Sequence, residues 1–217
     1  MRLLLIVCSL IGLLLLAVIV VTTQPSVSPI ASSPPAVDPS RLKAHVRYLS
    51  EEVYPRSYDQ LQQIDRAAHY IHEQLQATGA SVSVQEVTVQ GVSYKNIIAR
   101  FGPATGPTLV VGAHYDSNGE SDAQQNTTLD NLRQTHTPGA DDNASGVAGL
   151  IELSRLLAGQ QHSHSIELVA YTLEEMPHFR TEDMGSSWHA RTLKKAQRDV
   201  RLMLSLEMIG YFSDLPS

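Results

Sequence analysis

The apolar run TLVVGA occupies residues 108–113 and ends directly before His114. Two runs of the same kind follow along the chain, SIELVAYTL at residues 165–173 and VRLMLSL at residues 200–206. Short runs that are largely apolar are typical of strands buried on both faces of a sheet. We therefore expect these three segments to form buried strands of one sheet.

Helical patterns separate these strands, and a different pattern precedes them. Helices are predicted over residues 145–158, closed by Gly159, and over residues 186–197. Upstream, SVSVQEVTV and YKNIIARFG alternate in polarity on either side of Gly91, which predicts a β-hairpin. Strands that alternate with helices indicate an α/β fold, here a three-layer sandwich around a mixed, partly parallel central sheet.

The folded domain is expected to cover residues 41–217. An early helix is predicted over residues 58–78, stopped by Gly79. Its apolar stripe consists of Ile64, Ala67, Ala68, Ile71 and Leu75. Residues 117–140 form a polar stretch of a length that is unusual for a loop inside a compact domain, and such loops are often functional.

The N-terminal residues have the pattern of an export segment. Residues 3–22 carry no charge and match the ~20 residues that a helix needs to cross a bilayer. We therefore predict a signal-anchor transmembrane segment over residues 1–23, followed by a Pro- and Ser-rich linker over residues 24–40. A cleaved signal peptide is the alternative, and the protein would then be secreted. Either way the domain is expected outside the cytoplasm, in the periplasm or the extracellular space.

The composition argues against nucleic-acid binding and excludes intramolecular disulfides. Of 217 residues, 22 are acidic and 16 are basic, for a formal charge of −6. The basic patch of a nucleic-acid binder is missing, so no nucleic-acid partner is expected. Cys8 is the only cysteine in the sequence, so intramolecular disulfides are excluded.

Chemically active side chains follow each of the three apolar runs. His114 and Asp116 come after the first, Glu174 and Glu175 after the second, and Glu207 after the third. Open α/β sheets bind ligands at the carboxyl ends of their strands. We therefore expect one imidazole and several carboxylates along one edge of the sheet.

A fourth segment, GADDNASG, places Asp141 and Asp142 just before a predicted helix. So many carboxylates repel one another unless a cation neutralises them. Zinc binds both imidazole nitrogen and carboxylate oxygen, and two zinc ions that share a carboxylate form the clamp found in aminopeptidases. The pattern predicts a metal centre, with Asp141 bracing the loop instead of binding metal.

Four segments resemble the M28 family of zinc peptidases: HYDS (114–117), GADDNASG (139–146), TLEE (172–175) with MGS (184–186), and SLEMIGY (205–211). The resemblance spans roughly residues 41–211. It implies a zinc-dependent exopeptidase, an aminopeptidase that hydrolyses N-terminal residues of peptides through a metal-activated water. It also implies two zinc ions per complete domain and peptides as substrates.

The resemblance further implies a role for each ligand. His114 and Glu207 would bind the first zinc, and Asp116 would orient the ring of His114. Asp142 would bridge both ions. Glu175 would bind the second zinc.

Glu174 would be the general base toward the bound water. The family supplies a His to the second zinc from well beyond residues 205–211, whereas this sequence stops at Ser217. We therefore expect a C-terminally truncated sequence with an incomplete second site. His136, in the long polar loop, is the alternative ligand.

Two other functions stay open from the sequence. One is a glutaminyl-cyclase-like acyltransferase that uses a single zinc. The other is a catalytically silent, membrane-anchored ectodomain of the same fold. The pair Glu174–Glu175 favours a peptidase. Six further histidines are expected to be helix, loop or surface residues: His69, His72, His162, His164, His178 and His189.

Overall fold

The structure is a computed structural model that describes residues 2–23, 37–119 and 134–211. The middle of the long polar loop lies outside these residues, as does most of the predicted linker. The chain divides into two compact units, Met1–Ala36 and Val37–Ser217.

The first unit contains helix α1, Arg2–Thr23, whose leucines favour helix. In the part of the chain that the structure describes, no helix is long and apolar enough to cross a membrane. The anchor predicted over residues 1–23 therefore stays a prediction without structural support.

The second unit begins with helix α2, Pro39–Arg47. The side chain of Asp38 accepts a hydrogen bond from the backbone N–H of Ser40, and proline at the first helical position needs no hydrogen-bond acceptor. The segment Tyr48–Glu52 continues α2 as a wider π-helical turn. The helix thus starts before Arg41, the residue where the domain was predicted to begin.

Helix α3, Leu61–Ala77, lies inside the range predicted from its periodicity. The apolar stripe named above is buried along its whole length. Residues 58–60 precede the helix, so its predicted start was three residues early. Gly79 follows with φ of 86°, a left-handed conformation that ends a helix at little steric cost.

The predicted hairpin consists of β1, Ser81–Val89, and β2, Val92–Phe101, paired antiparallel. Gln90 and Gly91 connect them with φ of 50° and 82°. Two positive φ values at the centre of a two-residue loop match the twist of paired strands.

The three apolar runs form β3, Thr108–His114, β4, Ser165–Tyr171, and β5, Val200–Ser205. The strand order is β1-β2-β4-β3-β5. β3 pairs in parallel with both β4 and β5, whereas β2 pairs antiparallel with β4. The mixed, partly parallel sheet predicted from the sequence is therefore confirmed.

Helices cover both faces of this sheet. Helix α4, Gly146–Leu157, follows the π-helical segment Ala140–Ser145 and packs with α3 on one face. Helix α5, Gly185–Lys195, places Leu193 against the opposite face. Alternate residues of β4 point to the two faces, which explains its apolar sequence.

β5 departs from the prediction of a buried strand. All six of its residues are exposed, including Leu202, Met203 and Leu204 at 47%, 46% and 47%. The physical reason is its place at the end of the strand order, where it pairs with β3 alone in the described part of the chain. The apolar composition of β5 predicted a strand correctly, but it did not predict the edge position that leaves the strand exposed.

Candidate metal centre

The predicted site residues meet at one edge of the sheet. His114 is the last residue of β3, and Glu174 and Glu175 lie just beyond β4. Glu207 lies just beyond β5. Because β3 is parallel to both neighbours, the three strand ends point the same way.

The imidazole of His114 lies at the centre of the cluster and is 3% exposed. Its Nε2 atom lies 3.0 Å from Asp142 Oδ1, 3.2 Å from Glu207 Oε1 and 3.6 Å from Glu174 Oε2. Its Nδ1 atom lies 3.4 Å from Asp116 Oδ1. One ring nitrogen thus faces three carboxylates and the other faces a fourth.

Glu175 completes a group able to hold a cation. Ligand atoms of His114, Asp142 and Glu175 all lie within 4.8 Å of one another. The backbone N–H of Glu175 donates to Asp116 Oδ2 at 2.9 Å, and Asn118 Nδ2 donates to Glu175 Oε2 at 3.1 Å. Glu175 Oε1 is buried and accepts no hydrogen bond from the described residues. A buried oxygen without a donor, beside an imidazole and another carboxylate, fits a zinc ion.

The cluster shifts the proton affinity of His114. Burial alone would lower its pKa, but the nearby carboxylates of Asp116, Asp142 and Glu207 raise the pKa to about 12. The pKa of Asp142 is lowered, chiefly by its hydrogen bond with His114. The site therefore favours positive charge at the position of His114 Nε2.

The pKa values of the two glutamates beyond β4 are raised, in contrast to the lowered pKa of Asp142. Burial raises the pKa of Glu175 to about 7, and repulsion from Asp142 and Asp116 adds to it. Burial also raises the pKa of Glu174, with further repulsion from neighbouring carboxylates including Glu207. Negative charge is in excess here, and a divalent cation would relieve it.

The loop before α4 has the geometry needed to present Asp142. Gly139 adopts φ of 58°, and a Cβ atom there would lie 2.5 Å from the carbonyl oxygen of Asp142. The Asp142–Asn143 peptide bond is cis. Asn143 Nδ2 donates to the carbonyl of Leu206 at 2.8 Å, and its Oδ1 accepts from the N–H of Met208 at 3.3 Å. The side chain of Asn143 thus fastens this loop to the segment that carries Glu207.

Asp141 fastens the same loop in another way. Its Oδ1 accepts from the N–H of Gly210 at 2.8 Å and from Ser145 Oγ at 3.1 Å. These contacts fit the bracing role predicted for it.

His136 lies apart from the metal group. It is buried, and its Nε2 lies 3.4 Å from Asp59 Oδ1. Its Nδ1 lies 2.8 Å from Thr135 Oγ1. The arrangement of the described residues therefore does not favour His136 as the substitute zinc ligand.

Two histidines assigned to the surface are buried instead. His189 is 2% exposed and His178 is 8% exposed. His189 lies on the inward face of α5, with Nε2 3.0 Å from Glu167 Oε2 and Nδ1 3.0 Å from the hydroxyl of Tyr171. His178 lies in a turn, as the loop expectation has it, but it is buried. For His189 the expectation of a loop or surface position was wrong because it did not anticipate a buried acid in the middle of β4.

Sequence reasoning also missed Arg56 and Asn143. Arg56 is fully buried beside the strand end that carries His114. Neither residue belongs to a repeating pattern, and a single Arg in a polar segment gives no local signal of burial. Asn143 lies inside the motif GADDNASG, so its closeness to Asp142 was the one available signal.

The sequence is similar to those of known proteins. The sequence model of Peptidase family M28 matches residues 96–216. Uncharacterized protein YfbL of Escherichia coli (strain K12) is 47% identical over 193 residues, which are 89% of this chain and 56% of that protein. Leucine aminopeptidase 1 of Neurospora crassa is 30% identical over 176 residues, which are 78% of this chain and 39% of that protein. The chain thus spans about half the length of these relatives, or less.

Solved structures show the same fold. A leucine aminopeptidase precursor from Bacteroides thetaiotaomicron is 25% identical with a TM-score of 0.64, covering 82% of this chain and 64% of its own. A glutaminyl cyclase from the same organism, bound to N-acetylhistamine, is 25% identical with a TM-score of 0.64. It covers 81% of this chain and 63% of its own. With the family match over more than half of its residues, the chain belongs to peptidase family M28.

Proposed function

We propose that this chain is the catalytic part of a zinc-dependent aminopeptidase. The observation that carries the proposal is the convergence of side chains at the carboxyl edge of the sheet, where His114 Nε2 lies 3.0 Å from Asp142 Oδ1 and 3.2 Å from Glu207 Oε1. A ligand atom of Glu175 lies within 4.8 Å of those of His114 and Asp142, beside this first group. The family match and two relatives named as leucine aminopeptidases support it. A metallopeptidase of this family acts on peptides, here from the N-terminus.

Two zinc ions would share the site in the complete domain. His114, Asp142 and Glu207 would hold the first, and Asp142 and Glu175 would hold the second together with a ligand outside the described residues. Bound zinc supplies Lewis acidity, which lowers the pKa of water and polarises a carbonyl oxygen. The free amine of the substrate would lie against the carboxylates on the Glu175 side, so cleavage would be limited to the first residue.

Glu174 would move the proton. Its Oε2 is 3.6 Å from His114 Nε2, and it is half-buried at the rim of the cluster. From there its carboxylate would take a proton from the attacking water and return it to the leaving amine. Burial and neighbouring carboxylates raise its pKa, which suits a group that must hold a proton briefly.

Asp116 would position two ligands at once. Its Oδ1 lies 3.4 Å from His114 Nδ1, and its Oδ2 accepts the backbone N–H of Glu175 at 2.9 Å. A carboxylate in this place orients the ring and fixes which nitrogen faces the metal. It also fixes the backbone that carries Glu175.

We also propose that α1 holds the protein at a membrane with the peptidase unit outside the cytoplasm. The support is the uncharged run over residues 3–22. Carbonate washing of membranes tests it. Full-size protein left in the membrane pellet is expected, full-size protein in the wash would contradict it, and a shorter soluble form would indicate cleavage.

A glutaminyl-cyclase-like acyltransferase is the second candidate, favoured by the structural likeness to the cyclase described above. The two reactions leave different products, a free amino acid or a pyroglutamyl peptide. The test supplies the full gene product and Zn²⁺ with leucyl and glutaminyl peptides and analyses products by mass spectrometry. Release of N-terminal residues that a chelator stops is expected. Pyroglutamyl product alone would assign the cyclase, and neither product would contradict both.

A further inference from the structure

Arg56 is a buried cation, and its guanidinium donates hydrogen bonds to backbone carbonyl groups. It is 0% exposed. Its Nε donates to the carbonyl of Tyr115 at 2.8 Å, and Nη2 donates to the carbonyl of Gly139 at 2.9 Å. Nη1 donates to the carbonyls of Pro138, at 2.9 Å, and Leu49. Four carbonyls from three separate segments therefore meet at one side chain.

Two of those segments carry the metal ligands. Tyr115 stands between His114 and Asp116 at the end of β3. Pro138 and Gly139 open the loop that carries Asp142. A guanidinium is a rigid, planar fork, so the carbonyls it binds have fixed relative positions. Arg56 thus fixes the strand end against the loop.

The backbone of Arg56 strengthens this attachment. Its N–H donates to Ser117 Oγ at 3.2 Å, and its carbonyl accepts from the N–H of Ser117 at 3.2 Å. Backbone and side chain together therefore bind the residues on both sides of Asp116.

The charge of Arg56 also matters at this place. Burial lowers its pKa to about 10, while Asp116 and Asp142 oppose that shift. The side chain therefore stays charged at neutral pH and offsets part of the carboxylate repulsion. The loop packs closely against the guanidinium, because a Cβ atom on Gly139 would lie 2.7 Å from Arg56 Nη2.

We propose that Arg56 is the positioning residue that holds the strand end bearing His114 at metal-binding distance from the loop bearing Asp142. The inference rests on the proposed zinc site and adds a residue that touches neither metal nor substrate. It predicts that loss of the planar fork weakens metal binding even when the positive charge is kept.

The test measures Co²⁺ binding, because cobalt absorbs visible light whereas zinc is silent. Full chains are compared by titration: wild type, Arg56→Lys, and the matched control Arg100→Lys. Arg100 lies on β2, where its Nε lies 3.1 Å from Glu167 Oε1. Arg56→Lys is expected to weaken Co²⁺ binding by ~10–100-fold, the usual cost of losing a residue that supports a metal ligand. It should also change the visible spectrum of the bound ion, and the control should change neither.

A merely structural role would lower the melting temperature of Arg56→Lys and leave the Co²⁺ affinity and the cobalt spectrum of the folded protein unchanged. That result would overturn the inference. If Arg56→Lys does not fold, Gly139→Ala takes its place, because the added methyl group presses on both Arg56 Nη2 and the carbonyl of Asp142 and so shifts the loop relative to the strand end. Unaltered Co²⁺ affinity in Gly139→Ala would overturn the inference too. Wild-type protein that binds no Co²⁺ would overturn both the inference and the proposed function.

Discussion

Two charge clusters, each centred on a buried side chain, lie in this sheet, and they differ in how their charges are balanced. At the strand ends, His114 is surrounded by carboxylates that outnumber it. In the middle of β4, Glu167 lies 3.0 Å from His189 Nε2, 3.1 Å from Arg100 Nε and 3.8 Å from Arg198 Nη2. The first cluster has an excess of acids, and the second has more bases than acids.

The two clusters also differ in which of their polar atoms have hydrogen-bond partners. Both carboxylate oxygens of Glu167 have partners. In the first cluster, the acceptor atoms Asp116 Oδ1 and Glu175 Oε1 and the Nδ1 atom of His114 are buried and lack a hydrogen-bond partner among the described residues. In the second cluster the one such atom among the described residues is a donor, Arg198 Nε, so only the first cluster leaves carboxylate oxygens without a partner. Buried polar groups are normally satisfied, so groups left without partners need an explanation. The comparison teaches that the Glu167 cluster stabilises the fold, whereas the His114 cluster is built to receive a ligand.

The largest expected effect concerns Glu174. Glu174→Gln keeps the shape of the side chain but cannot accept the proton of the attacking water. We expect kcat of the full gene product to fall by ~10²–10⁴-fold, the usual contribution of general base catalysis. Zinc content, measured by elemental analysis, should stay near that of wild type. Activity within a few-fold of wild type would remove Glu174 from the role of base.

The matched change in the other cluster is Glu167→Gln. It leaves three basic side chains facing a neutral amide, and breaking a buried ion pair costs about 3–5 kcal/mol. We therefore expect a loss of this order in the free energy of unfolding, measured with urea, with zinc affinity unchanged. The contrast between the clusters would fail if this variant lost zinc while keeping its stability.

Zinc titration of the chain should separate the two metal sites. The first has an imidazole and two carboxylates, and the second has only Asp142 and Glu175 among the described residues. Mixed nitrogen and oxygen ligands bind zinc better than carboxylates alone. We expect at most one tightly bound zinc per chain, lost in Glu207→Gln and retained in Glu175→Gln. Two equally tight zinc ions would show that another side chain, such as His136, also binds.

The smallest expected effect is on the pH dependence of stability in chelator-treated protein. The pKa of Glu175 is raised from 4.5 to about 7, so the folded chain keeps a proton that the unfolded chain has lost. Its contribution to stability is therefore present below pH 4.5 and lost as the pH rises toward 7. Glu175→Gln should flatten this part of the curve.

Glu167 should act in the opposite direction. Burial raises its pKa, but hydrogen bonds from His189 and Arg100 outweigh burial and lower the pKa below 4.5. Its contribution is present above pH 4.5 and lost as the pH falls through the lowered value. Urea unfolding across pH 3–8 checks both glutamates. Identical curves for the wild type and both Gln variants would contradict the assigned environments.

Much of the fold was predictable because its signals are local. The stripe of α3 repeats with the period of a helix, and the turn at Gly91 lies between two alternating segments. The edge position of β5 was not predictable, since strand order depends on pairing between distant residues. The membrane anchor and the location outside the cytoplasm stay predictions.

The meeting of His114, Glu174, Glu175 and Glu207 was predictable because each follows an apolar run, and parallel strand ends meet. Asp142 was expected from its place before a helix, and the roles of these residues as ligands and base stay predictions. Arg56 and His189 were not, since each is buried by partners that are far away in the sequence. The buried side chain of Glu167 lies within an apolar strand, where the sequence gives no indication that its charge is neutralised. Local patterns therefore located the cluster of candidate ligands, whereas the supporting contacts needed the structure.

Zinc retention by paired histidine variants tests the central claim most directly. Wild type, His114→Gln and His189→Gln are loaded with Zn²⁺, dialysed and analysed for zinc per chain. His114 and His189 are both buried beside carboxylates, so loss of a buried imidazole is common to both variants. We predict that wild type and His189→Gln retain zinc and that His114→Gln loses it. Equal retention in all three proteins, or loss only in His189→Gln, would contradict the assignment of the His114 cluster as the metal centre.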